Sequence, residues 1–159
     1  MALLIRGATV KDAHDYATVH VYSWQAAYQH IIPDDYLGQL DIDNISERFA
    51  KGFIKYKDKT HYYIAELDGK AIGNLALGNC RDVDKPKFGE IIAIYLLSSY
   101  WGSGYGKKIM DFGIDRLRKL GYYDCCLWVL EENTRAIRFY EIMDFSLMGQ
   151  KRKSLLEKP

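Results

Sequence analysis

Three glycines alternate with other residues in Trp101-Gly102-Ser103-Gly104-Tyr105-Gly106-Lys107-Lys108, between an apolar run and a helix-periodic one. The run from Phe88 or Gly89 to about Leu97 is apolar at both phases of a two-residue repeat, which predicts a strand covered by helices on both faces. From Lys107 to Leu120, residues Ile109, Met110, Gly113, Ile114, Leu117 and Leu120 fall on one side of a helix, with Gly121 as its stop. A chain with this strand, turn and helix in sequence is committed to a helix-covered sheet. The glycines let the backbone turn tightly and point its amides at one place, where the helix adds its positive end. In physical terms that is a cradle for a phosphate, with Lys107 or Lys108 as an added charge. Two nucleotide motifs fail on spacing: the Walker A pattern is one residue short and has Lys108 where Ser or Thr is required, and a dinucleotide fingerprint would need glycine at Lys107. The plain alternative is a turn that only caps a helix.

The rest of the chain reads as one mixed sheet with helices over it. Leu3-Leu4-Ile5-Arg6 predicts a short strand, and Thr9 or Asp12 caps a helix running to about Tyr28. A break at Pro33-Asp34-Asp35 leads into a short helix, and a further helix is predicted from about Asp43 to Tyr56. At His61 the period changes to two. Tyr62 to Leu67 and Lys70 to Leu77 then form a hairpin about Asp68-Gly69. Arg81 to Lys87 is a polar loop. After the glycine turn and its helix come a strand from Cys125 to Leu130, a helix from Thr134 to Met143 capped by Asn133, and a closing strand from Phe145 to Lys153. With 159 residues and no linker or repeat, the chain is read as a single domain, 1–159.

Charge and cysteine content remove several classes of function. Lys and Arg number 22 against 21 Asp and Glu, a net charge of +1, so there is no global attraction for nucleic acid or an anionic membrane, and any bound anion needs a local site. The Lys151-Arg152-Lys153 patch reads as a solvated edge. No run is long enough to span a membrane and the N-terminus lacks a signal-peptide pattern, so the cytosol is expected. Cys80, Cys125 and Cys126 form no disulfide framework, and no Cys or His set has metal-ligand spacing, so no metal is expected. The chain's unusual content is aromatic: 13 Tyr and 3 Trp.

Phe88 to Met110, with the turn from Gly102 to Lys107, resembles the acetyl-coenzyme A binding segment of the GCN5-related N-acetyltransferases (GNAT). Leu127 to Glu141, including Asn133 and Tyr140, resembles that family's second conserved block. Ser23-Trp24-Gln25-Ala26-Ala27-Tyr28 and Ile32 to Leu37 resemble its acceptor-side helices. The resemblance covers nearly the whole chain. It implies an α/β (α+β) fold with a mixed, mostly antiparallel central sheet flanked by helices, its central strands splayed. It also implies acetyl transfer from acetyl-CoA to a primary amine by direct attack in a ternary complex, with no metal. The acceptor is a small-molecule amine or a protein or peptide amine.

By the same resemblance Ile94, Tyr95 and Leu96 meet the pantetheine arm, with an amide around Leu96 polarising the thioester carbonyl. Trp101, Gly102, Ser103, Gly104, Tyr105, Gly106 and Lys107 hold the diphosphate. Asn133 is a helix cap that also touches the pantetheine region. Arg135 and Arg138 are both surface groups by position, and Arg138 is the one expected to reach a coenzyme phosphate. Glu90 is the candidate general base and Tyr140 the candidate general acid. Trp24, Tyr28 and Tyr36, with Pro33 and the loop from Cys80 to Lys87, form the acceptor wall on the side opposite the coenzyme, where Asp34, Asp35, Asp82 and Asp84 would attract a cationic amine. A covalent route through Cys125 or Cys126 has little support, since both read as core. Departures from the family are Trp101, where a polar residue is usual, and Asp144, where glycine is usual. The short C-terminus leaves Leu155-Leu156, or a second subunit in a homodimer, to complete the sheet edge. The rival reading is a non-catalytic module that binds coenzyme A or another nucleotide.

Overall fold

The structure, a computed structural model, describes residues 2–81, 87–147 and 155–157. Asp82, Asp84 and the basic triplet at 151–153 lie outside the described residues. Strand β1 (Leu3–Gly7) leads through a 3-10 turn into α1 (Ala13–Ala27), followed by the short α2 (Asp34–Gly38) and by α3 (Ile42–Lys55). The predicted hairpin is β2 (Thr60–Leu67) and β3 (Lys70–Asn79), with both Asp68 and Gly69 at positive φ in its turn. Then come β4 (Gly89–Leu96), α4 (Tyr105–Lys119), β5 (Cys125–Trp128), α5 (Thr134–Ile142), β6 (Ser146–Leu147) and β7 (Leu155–Glu157).

The seven strands form one sheet in the order β1-β2-β3-β4-β5-β7-β6. Among the described residues β4 and β5 run parallel and the other pairings are antiparallel. The mixed, mostly antiparallel sheet expected from the sequence is therefore present. Leu155–Glu157 does form a strand, inserted between β5 and β6 and so not at the sheet's outer edge. The closing strand expected from Phe145 is described only at Ser146–Leu147, the remainder lying outside the described residues. The strand expected to reach Leu130 ends at Trp128.

Each face of the sheet carries its own core. On one side α4 and α5 bring Ile109, Met110, Ile114, Leu117, Ala136 and Tyr140 against Leu75, Leu77, Ile91 and Leu127. On the other, Tyr16 of α1 and Phe53 of α3 close over Ile64. Two buried hydrogen bonds tie α1 to β3: Asn74 Nδ2 donates to the Tyr16 carbonyl at 2.8 Å, and the Tyr16 hydroxyl donates to the Leu75 carbonyl at 3.3 Å. Where the chain enters α1, Arg6 bridges Asp12 and Glu66, each at 2.8 Å, holding the Asp12 carboxyl down at about 2.

Helices α4 and α5 end in the same way. Beyond α4, Gly121 N–H donates to the Arg118 carbonyl and Tyr122 N–H to that of Leu117; beyond α5, Asp144 N–H donates to Glu141 and Phe145 N–H to Tyr140. This double closure requires the residue after the cap to sit at positive φ, and it does so at 100° in Gly121 and 71° in Asp144. Glycine takes that conformation freely, whereas a residue with a Cβ is strained there by about 1–2 kcal/mol, less for Asp than for most. Replacing Asp144 by Gly is therefore expected to stabilise the protein by about 0.5–1 kcal/mol in denaturant unfolding, the relief of strain outweighing glycine's larger unfolded-state entropy. A loss of stability would show that the Asp144 side chain contributes more than its strain.

Candidate active site

The ladder between β4 and β5 consists of Gly89 with Cys125, Glu90 with Cys126 and Ile91 with Leu127, and there it stops. Ala76 of β3 faces Ala93 while Leu77 faces Ile91, so Ile92 is an extra residue on β4, a bulge that turns the strand. Beyond it β4 stays with β3 and leaves β5. The backbone groups of Leu96 point into the gap: Leu97 N–H donates to Ile72 of β3 at 2.9 Å, and successive residues of an antiparallel strand face opposite sides. The splay expected of the central strands is thus produced by one inserted residue.

A cavity of about 360 Å³ occupies this gap. Its walls are Ile91 to Leu96 of β4, Leu127 to Val129, one side of α5, and Ser23 and Ala27 of α1 with Tyr28 at that helix's C-terminal cap. At one end stand Trp101, Gly102, Gly104, Gly106 and Lys107. Gly104 caps α4 at φ 91° and Gly102 lies at φ 76°, conformations that allow the turn to double back before the helix. The first turn of α4 contains no acidic residue to compete for its amides. Lys107 is drawn to Asp111 at 2.8 Å. Ser103 is exposed, its hydroxyl donating to the Tyr100 carbonyl, and Tyr105 lies outside the lining with Lys108 over its ring. Of the seven residues expected in the turn, five therefore reach the cavity.

Tyr140 lines the cavity from α5 and is buried in the core beneath it. Burial, then the neighbouring Tyr28 hydroxyl, push its phenol well above the usual tyrosine value, partly offset by Arg135. Tyr95 is raised in the same way by burial and by Tyr28. Asn133 combines two positions expected for it: it lines the cavity, and its Oδ1 accepts from Ala136 N–H at 3.3 Å as the cap of α5.

Four further expected residues stand outside the cavity lining. Glu90 does not line the cavity; it is fully buried, and Arg81 donates to both its oxygens, through the backbone N–H and Nε to Oε1 (3.0 and 3.1 Å) and through Nη2 to Oε2 (2.7 Å). Tyr36 is exposed on α2. Arg138, one turn along α5, does not line the cavity, while Arg135, in the first turn, does, although both are exposed. Trp24 is one layer back, edge-on to Tyr28 at 4.7 Å and 6.3 Å from Tyr95. The sequence reading missed Ser23 and Ala27, a pair of small residues four apart whose spacing places them on one helix face. The sulfurs of Cys80 and Cys126 are 2.9 Å apart outside the cavity, and burial followed by Cys80 pushes the Cys126 thiol far up. A protonated thiol off the cavity wall is a poor nucleophile. Among the described residues there is no cluster of three or more metal-ligating side chains, and no helix is long and apolar enough to cross a membrane.

This architecture is shared with solved acetyltransferases. The PaiA N-acetyltransferase of Thermoplasma acidophilum, solved in complex with coenzyme A, superposes with a TM-score of 0.86 over 99% of both chains at 20% identity, which defines the fold. Residues 20–145 match the sequence profile of the acetyltransferase (GNAT) family. The chain is 31% identical over 138 residues to the uncharacterized N-acetyltransferase YuaI of Bacillus subtilis (86% of this chain, 76% of that one). It is 32% identical over 149 residues to an uncharacterized N-acetyltransferase of Archaeoglobus fulgidus (88% and 90%). The chain belongs to the GNAT acetyltransferase family, and an acetyl-CoA-dependent transfer is the class of reaction that this membership gives it.

His20 gives this region a pH dependence. It lies against Trp24, Phe49 and Tyr95, and burial, helped by the Arg48 charge, lowers its pKa from 6.5 to about 4. The unfolded chain thus binds the proton first as pH falls, so stability conferred by neutral His20 is complete above about 6.5 and is lost towards 4. The loss is about 3 kcal/mol. Asp12 adds its own loss only below its ordinary value of 3.8. His20→Phe is expected to flatten the stability profile between pH 6.5 and 4, followed by urea denaturation at each pH. A slope equal to that of the native protein would place the titrating group elsewhere.

Proposed function

We propose that the protein transfers the acetyl group of acetyl-CoA to a primary amine, by direct attack of the amine on the thioester in a ternary complex. The observation that carries this is the gap between β4 and β5, with a glycine turn and helix N-terminus at one end and the tyrosine wall of α1 and α5 at the other. An extended pantetheine arm fits along β4 as a strand would, meeting the backbone of Ile94 and Leu96. The Leu96 N–H, facing the gap, is aimed where negative charge grows on the thioester oxygen during attack. That the structurally similar PaiA enzyme was solved in complex with coenzyme A supports a coenzyme A ligand for this fold.

The acceptor enters from the side of Tyr28 and Ser23. Its neutral nitrogen forms the new C–N bond as the C–S bond breaks, and the Tyr140 hydroxyl donates its proton to the departing sulfur. A phenol held well above its usual pKa keeps that proton throughout the working range, and the proton released by the amine restores it. Both Glu90 oxygens are engaged by Arg81, so Glu90 fixes the loop after β3 in place of serving as base, and the amine loses its first proton to solvent.

Acetyl-CoA consumption, read as free thiol released, tests this against a panel of polyamines, amino-acid derivatives, aminated antibiotics and peptide N-termini. At least one acceptor is expected to be turned over. Tyr140→Phe should lower kcat by about a hundredfold with binding of acetyl-CoA retained. Glu90→Gln should lower stability and leave the pH dependence of kcat/KM in place; a shifted profile would restore Glu90 as the base. Tight binding of acetyl-CoA with no transfer to any acceptor would replace the enzyme by a non-catalytic coenzyme A module.

A further inference from the structure

Trp101 follows β4 and Arg135 follows β5, so a contact between them spans the two strands where they have parted. The guanidinium carbon of Arg135 stands 3.5 Å from the centre of the Trp101 ring. The ring is itself fixed, its Nε1–H donating to the Leu96 carbonyl at 2.9 Å. Both side chains line the cavity beside Gly102 and Gly104.

Nearby cations are otherwise engaged or turned away. Lys107 is paired with Asp111, Lys108 lies 5.9 Å from the Tyr105 ring centre, and Arg138 is exposed outside the cavity. Among the described residues Arg135 alone lines the cavity as a cation without a carboxylate partner. Arg135 keeps an exposed edge, and partial desolvation of the guanidinium lowers its pKa, the expected sign for a cation without a counter-ion. Stacking on an indole leaves the edge of a guanidinium, with its fork of N–H donors, available to two oxygens of one anion.

From this arrangement we propose that Trp101 and Arg135 form a two-part receptor for the diphosphate of the coenzyme, Arg135 supplying the charge and Trp101 positioning it. The inference rests on the acetyl-CoA reading above and adds to the glycine turn a cation delivered from α5, the helix that follows the opposite strand. It gives the tryptophan at the edge of the turn a purpose. The missing polar side chain there is replaced by a platform on which a polar group from α5 lies.

Binding of coenzyme A and dephospho-coenzyme A by calorimetry, and of pantetheine by ligand-observed NMR, tests the proposal. Arg135→Ala is expected to weaken both phosphorylated ligands alike, by about 10- to 100-fold, to leave pantetheine unchanged and to make the salt dependence shallower. Trp101→Leu should cause part of the same loss in the native background and little further loss in Arg135→Ala, with Trp101→Phe retaining most of the affinity. An equal loss for pantetheine would reduce Arg135 to a structural role. A loss confined to coenzyme A would move the contact to its 3′-phosphate, and strictly additive losses would end the positioning role of Trp101. A higher KM for the acceptor at unchanged coenzyme affinity would assign Arg135 to an acceptor carboxylate. Each of these outcomes overturns the proposal, while native binding of all three ligands with those losses leaves the parent reading standing. A native protein that binds none of them removes both.

Discussion

The site depends on backbone hydrogen bonds that end. Strands β4 and β5 pair for three residues and then separate because β4 contains one residue more than its other neighbour, β3, can match. Buried peptide groups need partners, so a parted pair of strands creates a demand for hydrogen bonds along its inner edges. The Trp101 indole answers one of these at the Leu96 carbonyl. The gap is kept from closing by what grips each strand from behind. β3 holds the far side of β4 along its length, β7 holds the far side of β5, and α4 and α5 wedge Tyr140, Ala136 and Ile109 beneath.

Periodicity made most of the elements legible. The change of period at His61, the Asp68-Gly69 turn, the apolar stripe of α4 and the Asn133 cap are local signals, and each led to the right element. What escaped was decided by partners distant in sequence. Val129 and Leu130 continue the apolar pattern of β5 unchanged, but β4 has left the ladder at Leu127, a separation that the local pattern does not signal. The bulge at Ile92 leaves no mark, since an extra isoleucine in an apolar run looks like any other. The place of Leu155–Glu157 inside the sheet is likewise a matter of topology that no local pattern encodes.

The same division holds for the site. The glycine turn and Tyr140 were visible as motifs, and both stand on the cavity wall. Glu90 occupied a plausible position along β4, but the direction of Arg81, whose own N–H folds back onto the carboxylate, could not be read from a polar loop. Arg135 and Arg138 differ by one turn of helix. Side chains on a helix lean towards its N-terminus, so the arginine in the first turn reaches back over the end of the neighbouring strand while the next, on the same face, starts one turn further from it. That geometrical rule, applied to the sequence, would have favoured Arg135.

The aromatic content of the chain was its compositional oddity, and the tryptophans are its most localised part. Trp101 and Trp128 line the cavity, and Trp24 lies directly behind Tyr28 and Tyr95. These three are all the tryptophans the chain has. Light absorbed at the red edge of the protein spectrum, where tyrosine is transparent, is therefore taken up at one place in the molecule. The intrinsic emission carries almost no background from the rest of the fold, and the indole beneath a guanidinium has a different electronic environment from the other two. The protein thus has its own optical reporter built into the walls of the site.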